Sequence, residues 1–245
     1  MHYTLEKVTT LIGAHRYGKD DATIDWLLTD SRSLAFPETT LFFALRTRRN
    51  DGQKYIPDLY RRGVRNFVVG NLPENWERLY PNANFLLVVS PLKALQRLAE
   101  RHREEYNLPI IGVTGSNGKT IAKEWIYQLL SKDKRATRSP RSYNSQVGVP
   151  LSVWLLDENS QAGVFEAGIS QPGEMQSLRD IIQPTIGIMT NIGSAHQENF
   201  STIREKCQEK AQLSKDCQTV IFNADDKVIS ECIKNECPDS KLLSW

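Results

Sequence analysis

The 245-residue sequence is poor in the features that mark membrane-spanning, secreted or nucleic-acid-binding proteins. It has no run of 18 apolar residues, which argues against a transmembrane helix, and residues 1–7 carry no apolar signal-peptide core. The 31 basic and 29 acidic residues nearly balance, which argues against binding to nucleic acid or to a membrane surface. Internal repeats and low-complexity tracts are also missing. These absences predict a globular cytoplasmic protein, in which 40% hydrophobic residues provide a core.

Cysteine is scarce and unevenly distributed. All four cysteines lie in the last 40 residues, and none forms a Cys-x-x-Cys pair. An even count would allow disulfides, but a chain without a secretion signal favours a reducing compartment. Because the spacing of zinc ligands is missing as well, we expect neither structural zinc nor disulfides.

Residues 109–120 are the most informative stretch and read Pro-Ile-Ile-Gly-Val-Thr-Gly-Ser-Asn-Gly-Lys-Thr, an apolar strand that enters a glycine-rich loop. A helix is predicted over 121–131, because Ile121, Trp125 and Leu129 stand at i, i+4 and i+8. In such an arrangement, backbone N–H groups of the loop and of the helix N-terminus point at phosphate oxygens. The stretch therefore predicts a site for a nucleoside triphosphate.

Lys119 would neutralise the β- and γ-phosphates in this site, and the Thr120 hydroxyl would ligate Mg²⁺. The standard loop has four residues between its first glycine and Gly-Lys, whereas five separate Gly112 from Gly118 here. An ordinary strand-to-helix turn with glycine at positive φ is the alternative. The residues expected to contact the nucleotide are Gly115, Ser116, Asn117, Gly118, Lys119 and Thr120.

The first hundred residues predict a small α/β domain. Apolar runs separated by turn signals predict strands, and Ser90 followed by Pro91 predicts the start of a helix. The predicted strands cover residues 40–45, 66–69 and 85–89. We interpret the charged run from Glu100 to Glu105 as a solvated end of that helix and place a domain boundary near residue 106.

From residue 107 onward strands and helices alternate, which predicts βαβ units and a mostly parallel sheet. The further predicted strands cover residues 164–167, 185–190 and 219–223. The expected fold class is α/β, with a small N-terminal α/β domain over 1–106 and a P-loop-type, mostly parallel sheet domain over 107–245. Residues 241–245 resemble the start of another buried strand, so we expect a truncated part of a longer protein. A natural terminus with an apolar edge strand is the alternative.

Two polar residues stand near strand ends, where ligands bind to parallel sheets. Glu166 is a carboxylate in an apolar strand, and an unpaired buried carboxylate is costly. A magnesium ion would offset that cost, while solvent exposure or a lysine partner is the alternative. His196, which follows the strand at 185–190, is either a site residue or a structural or solvated one. Lys206 and Lys210 lie in a Lys- and Glu-rich helical segment, and charge or spacing alone distinguishes neither from a solvated face.

The sequence resembles the Mur ligases, the ATP-dependent amide-forming enzymes of peptidoglycan assembly. The motifs that carry the resemblance keep the family's order and spacing across residues 109–226. They are Gly112-Val-Thr-Gly-Ser-Asn-Gly-Lys-Thr120, Tyr143-Asn-Ser-Gln-Val-Gly-Val-Pro-Leu151, Phe165-Glu-Ala-Gly-Ile-Ser170, Thr190-Asn-Ile-Gly-Ser-Ala-His196 and Val220-Ile-Phe-Asn-Ala-Asp-Asp226. The unusual form of the glycine loop is normal in this family.

The resemblance implies ATP and Mg²⁺ as cofactors and gives individual residues a role. Lys119 would act in catalysis and hold the ATP phosphates, Thr120 and Glu166 would ligate one Mg²⁺, and His196 would help to place a second. Family members carry a catalytic carbamylated lysine 14 residues past this histidine, which points to Lys210 as a catalytic residue and metal ligand. The alanine that usually precedes that lysine is Glu209 here, so Lys206 remains open. Carbamylation would give Mg²⁺ an anionic oxygen ligand.

The first domain resembles the family's UDP-sugar-binding domain in Thr29-Asp-Ser-Arg32, Leu41-Phe-Phe-Ala-Leu45 and Asp51-Gly52. The resemblance implies that Ser31 and Arg32 contact the UDP part, where arginine suits a diphosphate. A second set would face the nucleotide and the muramoyl group, and it consists of Asn144, Ser145 and Gln146. The family often has a second asparagine where Ser145 or Gln146 stands.

Within the family, Gly148-Val-Pro-Leu151 and Gly173-Glu174 favour the member that adds D-Ala-D-Ala to UDP-MurNAc-tripeptide through an acyl phosphate. The rivals are a sister ligase that adds another amino acid or acts on folate, and a non-catalytic nucleotide-binding module. We expect a monomer without nucleic-acid or membrane partners. We expect residues 1–245 alone to bind ATP weakly and not to catalyse ligation. A fusion to alanine racemase, as some bacteria have, is left open.

Overall fold

The computed structural model describes residues 2–47, 50–193 and 197–245. The chain divides into two compact units, Met1–Leu98 and Ala99–Trp245. This division falls inside a helix, Pro91–Glu104, whereas the sequence analysis placed the boundary after it, near residue 106. The difference arises because Ala99 and Tyr106 are buried in the core of the second unit.

The first unit contains short strands and helices that alternate irregularly at its start and regularly after residue 40. Its elements are β1 (Tyr3–Thr4), α1 (Leu5–Ile12), β2 (His15–Tyr17), β3 (Thr23–Ile24), β4 (Trp26–Leu28), β5 (Thr40–Phe43), α2 (Ile56–Arg61), β6 (Asn66–Val69), α3 (Trp76–Leu79), β7 (Asn84–Leu87) and α4 (Pro91–Glu104), the last of which continues into the second unit.

The strands of the first unit form a five-stranded sheet in the order β2-β7-β6-β5-β4 and a two-stranded pair, β1-β3. In the larger sheet only β2 runs antiparallel to its neighbour, β7. β5, β6 and β7 confirm the three strands predicted in this part of the chain. Phe42, Phe67 and Phe85 lie in their core, and the rings of Phe67 and Phe85 stack with centroids 5.4 Å apart.

The second unit alternates strand and helix throughout. Its elements are β8 (Ile110–Thr114), α5 (Lys119–Leu130), β9 (Ala136–Arg138), α6 (Gly148–Val153), β10 (Ala162–Glu166), α7 (Glu174–Ile182), β11 (Ile186–Met189), α8 (Ile203–Ala211), β12 (Thr219–Phe222), α9 (Lys227–Glu236) and β13 (Lys241–Ser244). No helix among the described residues of the chain is long and apolar enough to cross a membrane.

The six strands of the second unit form one sheet in the order β13-β12-β11-β8-β10-β9, and every neighbouring pair is parallel. This arrangement confirms the predicted parallel α/β domain. The register pairs Glu166 with Val113 and Met189 with Thr114. The carboxyl ends of β8, β10 and β11 therefore meet at one edge of the sheet, where open α/β sheets bind ligands.

One face of this sheet packs against α6 and α7. Phe165 of β10 and Ile110 of β8 lie in a buried cluster with Val149, Met175 and Leu178. Because α6 and α7 present these apolar side chains to the sheet, they fix the position of the strand ends that carry the polar residues described below.

Helix α5 lies along β8, β9 and β10, but its apolar stripe does not face them. Ile121, Trp125 and Leu129 are 58%, 66% and 65% exposed. The periodicity therefore predicts the helix correctly and does not mark its buried side. The residue of α5 that is fully buried is Lys123.

Two polar side chains of α4, those of His102 and Arg103, are also buried, which contradicts the interpretation of Glu100 to Glu105 as a solvated run. His102 and Arg103 are 2% and 6% exposed. The Nε2 atom of His102 lies 3.0 Å from the carbonyl oxygen of Leu156, and Arg103 Nε donates to the carbonyl of Ile182 at 3.0 Å. Backbone carbonyls of the second unit thus satisfy these polar groups inside the core.

Strand β13 confirms the strand predicted at the end of the sequence, but it is not buried. It pairs in parallel with β12, and Leu243 and Trp245 are 42% and 56% exposed. All four cysteines, in contrast, are buried, and they are free thiols.

Candidate functional site

The loop between β8 and α5 packs closely against the residues at the end of β11. Gly115 has a φ of +142°, and a Cβ atom there would lie 2.0 Å from Oγ1 of Thr190. The side chain of Thr190 donates to the carbonyl of Asn117 at 2.7 Å, while Oδ1 of Asn191 accepts from the Asn117 N–H at 2.9 Å. Only glycine fits at position 115, and the residues after β11 shape the loop.

Helix α5 begins at Lys119, immediately after Gly118, which has a φ of +78°. No described side chain caps this helix N-terminus. Lys119 curls back over the loop, where Nζ donates to the carbonyls of Gly115 at 2.9 Å and Ser116 at 3.4 Å. N–H groups at a helix N-terminus and an ammonium beside them are groups that suit an anionic ligand. Burial lowers the pKa of Lys119, and the charge of Glu166 partly counters that effect.

Glu166, the last residue of β10, is completely buried and lies beside the start of α5. Its Oε2 atom accepts hydrogen bonds from Thr120 Oγ1 at 3.2 Å and from Asn144 Nδ2 at 3.3 Å. Thr120 also lies 3.4 Å from the hydroxyl of Ser142. The structure thus brings together three residues that the sequence analysis proposed from separate motifs, Thr120, Asn144 and Glu166.

The other oxygen of Glu166 has a different partner. Oε1 lies 3.2 Å from Nζ of Lys123, which is also fully buried. Oε1 accepts no hydrogen bond from the residues that the structure describes. The sequence-based argument for a metal assumed an unpaired carboxylate. Glu166 is paired, because Lys123 compensates its charge. This lysine partner is the alternative that the sequence analysis left open.

Lys210 lies on α8 with its side chain directed to the phosphate loop. Its Nζ donates to the carbonyl of Gly115 at 3.2 Å, the same oxygen that Lys119 contacts. Burial, followed by the nearby charges of Lys119 and Lys206, lowers the pKa of Lys210 to about 8. Glu209 accepts a hydrogen bond from the Met175 N–H at 2.9 Å, which ties α8 to the first turn of α7.

Lys206 lies one turn earlier on α8 and is directed elsewhere. Its Nζ donates to the carbonyl of Gly193, whereas Lys210 lines a cavity that Lys119 and Asn144 also line. Burial lowers the pKa of Lys206 as well, and the charge of Glu198 opposes that shift.

The loop, the end of β10 and α8 surround an open cavity of about 440 Å³. Its lining includes the predicted residues Lys119, Lys210 and Asn144. Four other predicted residues also line it: Gly115, Ser116, Ser145 and Gln146. The lining further includes residues that the sequence did not assign to the site, namely Gly168, Ile169, Ser170 and Glu174. The cavity therefore extends from the phosphate loop towards the first turn of α7.

Two further predicted residues, Ser31 and Arg32, belong to the first unit. They lie in a 3₁₀ turn, Ser31–Ser33, where the Arg32 guanidinium pairs with the Asp30 carboxylate at 2.6 Å. The hydrogen bonds from Arg32 hold the pKa of Asp30 down at about 2. His196 lies outside the described residues.

The first unit contains a cavity of its own at the carboxyl ends of β5 and β6, with a volume of about 310 Å³. Arg46, Asp51 and Asn71 contribute polar groups to its lining. The Asp51 carboxylate accepts from the Gln53 N–H at 2.9 Å and so fixes the turn that leads into α2. Ser31 and Arg32 are not among the residues that line this cavity.

The sequence analysis missed Lys123 as a neighbour of the site. A lysine four residues after Lys119 lies on the same side of a helix, so the spacing could have pointed to it. The apolar stripe of Ile121, Trp125 and Leu129 instead suggests that the opposite side of the helix is buried. Asn191, whose side chain accepts the hydrogen bond of the Asn117 N–H, was likewise given no role from the sequence.

The donor set fits Mg²⁺ in part. Hydroxyl and carboxylate oxygens are the ligands that Mg²⁺ prefers, and the ion usually keeps several waters and phosphate oxygens in its shell. Thr120 Oγ1 and Glu166 Oε2 supply one oxygen each at the phosphate loop. Among the described residues, no group of three or more His, Cys, Asp or Glu side chains is placed to enclose a metal ion. The site therefore suits an ion that is shared with a phosphate ligand.

A parallel sheet whose first strand enters a glycine loop, with Lys-Thr at the N-terminus of the next helix, defines an α/β domain of the phosphate-loop type. The Mur ligase middle domain family matches residues 113–243, over half of the 245 residues. The chain belongs to the Mur ligase family.

Relatives and solved structures agree with this assignment. The UDP-N-acetylmuramoyl-tripeptide--D-alanyl-D-alanine ligase of Borreliella burgdorferi is 36% identical over 178 residues, which cover 71% of this chain and 38% of the relative. A crystal structure of MurF from Acinetobacter baumannii matches the fold with a TM-score of 0.90 at 24% identity, over 100% of this chain and 53% of that one. MurF ligase from Thermotoga maritima, solved in complex with ADP, has a TM-score of 0.76 at 26% identity, over 89% of this chain and 49% of that one. The chain thus spans about half the length of these relatives or less.

Proposed function

We propose that the whole protein is an ATP-dependent peptide ligase that joins D-Ala-D-Ala to UDP-MurNAc-tripeptide in peptidoglycan precursor synthesis. The observation that carries this proposal is the convergence of Lys119, Thr120, Glu166 and Lys210 on one phosphate loop. The similarity to ligases of that name in other bacteria supports the choice of substrates.

In the proposed reaction the carboxylate of the tripeptide attacks the γ-phosphorus of ATP, which gives an acyl phosphate and ADP. The amine of D-Ala-D-Ala then attacks the acyl carbon, and a tetrahedral intermediate collapses with release of phosphate. The chain's own contribution is to position the phosphates and to neutralise their charge. Lys119 and the N–H groups at the start of α5 perform this task in our proposal.

Mg²⁺, when bound, supplies positive charge that offsets the charge of the transferring phosphoryl group. Thr120 and Glu166 would hold it, and Asn144 would keep Glu166 oriented through the hydrogen bond to Oε2. The role proposed from the sequence for His196 stays a prediction. Ser145, Gln146 and Glu174 line the same cavity, which supports a place for the muramoyl end of the substrate there.

We infer that Lys210 rather than Lys206 is the carbamylated residue. Carbamylation joins an uncharged amine to CO₂ with loss of one proton, so a lowered pKa favours it. The pKa of Lys210 is lowered to about 8, chiefly by burial, and this side chain borders the cavity. The carbamate would place an anion between the Lys119 and Lys206 cations.

The first unit is proposed to bind the UDP part of the substrate. Ser31 and Arg32 are the residues proposed for that contact. Because Arg32 is paired with Asp30, it would have to share its guanidinium between that carboxylate and a diphosphate. A cytoplasmic location is proposed as well, and the four free thiols support a reducing compartment.

The experiment that tests the nucleotide site is binding of ATP with Mg²⁺ to this chain, with Lys119→Ala as the variant. We expect weak but measurable binding and at least about a tenfold loss in the variant, since a hydrogen bond to a charged group contributes about 1.5–3 kcal/mol. The unfolding temperature should stay near that of the unaltered chain. Equal affinity of the two proteins would refute the proposed role of Lys119.

The reaction itself is tested by phosphate release from the whole protein with ATP, UDP-MurNAc-tripeptide and D-Ala-D-Ala, each omitted in turn. Release that requires all three substrates is expected. Release with a shorter UDP-muramoyl-peptide and a single amino acid would instead assign a sister step. Residues 1–245 alone are expected to release none, and Lys119→Ala should abolish release by the whole protein.

A further inference from the structure

Lys123 occupies an unusual place for a lysine. Its side chain is 0% exposed, and its ammonium lies 3.2 Å from Oε1 of Glu166 and 3.0 Å from Oε1 of Glu124. A buried ammonium is costly unless charge partners and hydrogen-bond acceptors surround it. The contacts of Lys123 are therefore part of how the second unit is built around the phosphate loop.

The ammonium also holds the segment that follows β9. It donates to the carbonyls of Ser139 at 2.8 Å and Arg141 at 2.5 Å. Arg141 has a φ of +48°, a left-handed conformation that is uncommon for residues other than glycine. The next residue, Ser142, places its hydroxyl 3.4 Å from Oγ1 of Thr120. Lys123 thus fixes the backbone that faces Thr120.

The two carboxylates beside Lys123 are not equivalent. Glu124 has a second cation, since Nη1 of Arg138 lies 2.9 Å from the same Oε1 atom, and its side chain is 30% exposed. Glu166 is fully buried, and its Oε1 atom lies beside Lys123. Glu124 therefore has Arg138 and solvent besides Lys123 to compensate its charge, whereas the buried Glu166 has no solvent and depends more on Lys123.

Because of this pairing, the two carboxylate oxygens of Glu166 have different neighbours. With Oε1 beside Lys123, Oε2 faces the Thr120 hydroxyl and the Asn144 amide. We propose that Lys123 is a positioning residue of the nucleotide site, which orients the Glu166 carboxylate and the backbone opposite Thr120 and so sets how strongly Mg²⁺ enhances ATP binding. The proposal rests on the nucleotide site described under the proposed function.

The test is the metal enhancement of ATP binding, which is the Kd for ATP in EDTA divided by the Kd in saturating Mg²⁺. For Lys123→Met in the full chain, we expect the enhancement to fall about tenfold or more, the size of effect that residues behind metal ligands show. The Kd in EDTA should stay within about twofold, because Lys123 itself does not contact the phosphates in this proposal. Unchanged enhancement in a folded Lys123→Met variant would overturn the proposal.

Glu124→Gln is the matched control. It removes the other carboxylate that lies beside Lys123, at 3.0 Å, and leaves Glu166 in place. Its enhancement should equal that of the unaltered chain. If Glu124→Gln and Lys123→Met lower the enhancement equally, Lys123 merely supports the helix, and the positioning role is wrong.

Lys123→Met removes the cation that lies beside the buried Glu166 carboxylate, which can prevent folding. In that event Glu166→Gln is compared with the double variant Lys123→Met/Glu166→Gln, which contains no unpaired buried charge. Both should show no enhancement and the same Kd in EDTA, because Lys123 acts through Glu166. A weaker Kd in EDTA for the double variant would overturn the proposal. Absence of ATP binding by the unaltered chain would instead refute the proposed nucleotide site, and the inference with it.

Discussion

Lys210 illustrates, at the scale of a single residue, what it costs to bury a charged group that is proposed to serve a ligand. Its ammonium is buried beside two other cations, and its pKa falls from 10.5 to about 8 through burial and the charges of Lys119 and Lys206. Each pKa unit corresponds to about 1.4 kcal/mol, so the charged form costs up to about 3 kcal/mol of folding free energy. Residues that serve a ligand commonly carry such a cost.

We therefore expect Lys210→Met to raise the free energy of unfolding by about 1–3 kcal/mol at pH 7 in CO₂-free buffer. Between about pH 8 and 10.5 the unfolded chain keeps a proton that the folded chain has released, so the stability of the unaltered chain rises with pH. The advantage of the variant should shrink over that range. Urea unfolding of both proteins at pH 7 and pH 10 measures it, and a variant that is less stable at pH 7 would contradict the argument.

The residues of the site differ in how well the sequence predicts them. Lys119 and Thr120 follow from the loop and helix, because the chemistry of phosphate binding fixes their spacing. Glu166 is suggested by a carboxylate in an apolar strand. Its partner Lys123 is not, because a charged residue on an amphipathic helix normally lies on the solvent side.

At the scale of elements, a buried guanidinium holds the last turn of α4 against the end of α7. Arg103 donates to the carbonyls of Ile182 at 3.0 Å and Gln183 at 3.2 Å, at the end of α7. Helix ends leave backbone carbonyls unsatisfied, and Arg103 satisfies two of them. We expect Arg103→Ala to lower the free energy of unfolding by about 3 kcal/mol, because it leaves these buried carbonyls without donors.

Arg101→Ala, in the same helix, is the control for this prediction. Arg101 is exposed and pairs with Glu104 at 2.8 Å, a kind of pair that contributes little to stability. Urea unfolding should show no measurable change for Arg101→Ala and a lower midpoint for Arg103→Ala. Equal midpoints for the two variants would show that the contacts of Arg103 do not stabilise the fold.

Helix α5 shows why an element can be predicted while its orientation is not. Apolar residues at i, i+4 and i+8 predict a helix whichever side they face. Here the phosphate loop fixes where α5 begins, and the ion pair of Lys123 with Glu166 fixes which side faces the sheet. Ile121, Trp125 and Leu129 are consequently exposed.

At the scale of the whole molecule, ATP is expected to bind the second unit, and the UDP part of the other substrate is expected to bind the first unit. ATP with Mg²⁺ should slow amide hydrogen exchange at residues 115–120 and along α5, because binding stabilises the segments that contact the ligand. Exchange in β5, β6 and β7 should not change. UDP-MurNAc-tripeptide should slow exchange in the first unit.

Mass spectrometry of exchanged peptides, at ligand concentrations well above Kd, makes this measurement. The control is the Lys119→Ala variant, which should lose the protection by ATP and keep the protection by the UDP substrate. Protection by ATP that is confined to the first unit would contradict the assignment of the nucleotide site to residues 107–245.

The sequence by itself determined the α/β class, the parallel sheet of the second unit and the phosphate loop. These depend on local rules, namely apolar runs, turn residues and the fixed spacing of a loop and a helix N-terminus. The family assignment rests on the order of such motifs along the chain, and the comparisons confirm it.

Only the tertiary structure decided which charges are buried and which atoms face one another. The pairing of Lys123 with Glu166 and the shared contact of Lys119 and Lys210 with Gly115 depend on the register of β8 and β10 and on the packing of α5 and α8. Residues that are distant in sequence meet through these contacts, and the cost of burying a charge depends on the partners that the fold supplies. A local pattern can place Lys123 on the same side of α5 as Lys119, but it does not supply the partner that Lys123 meets.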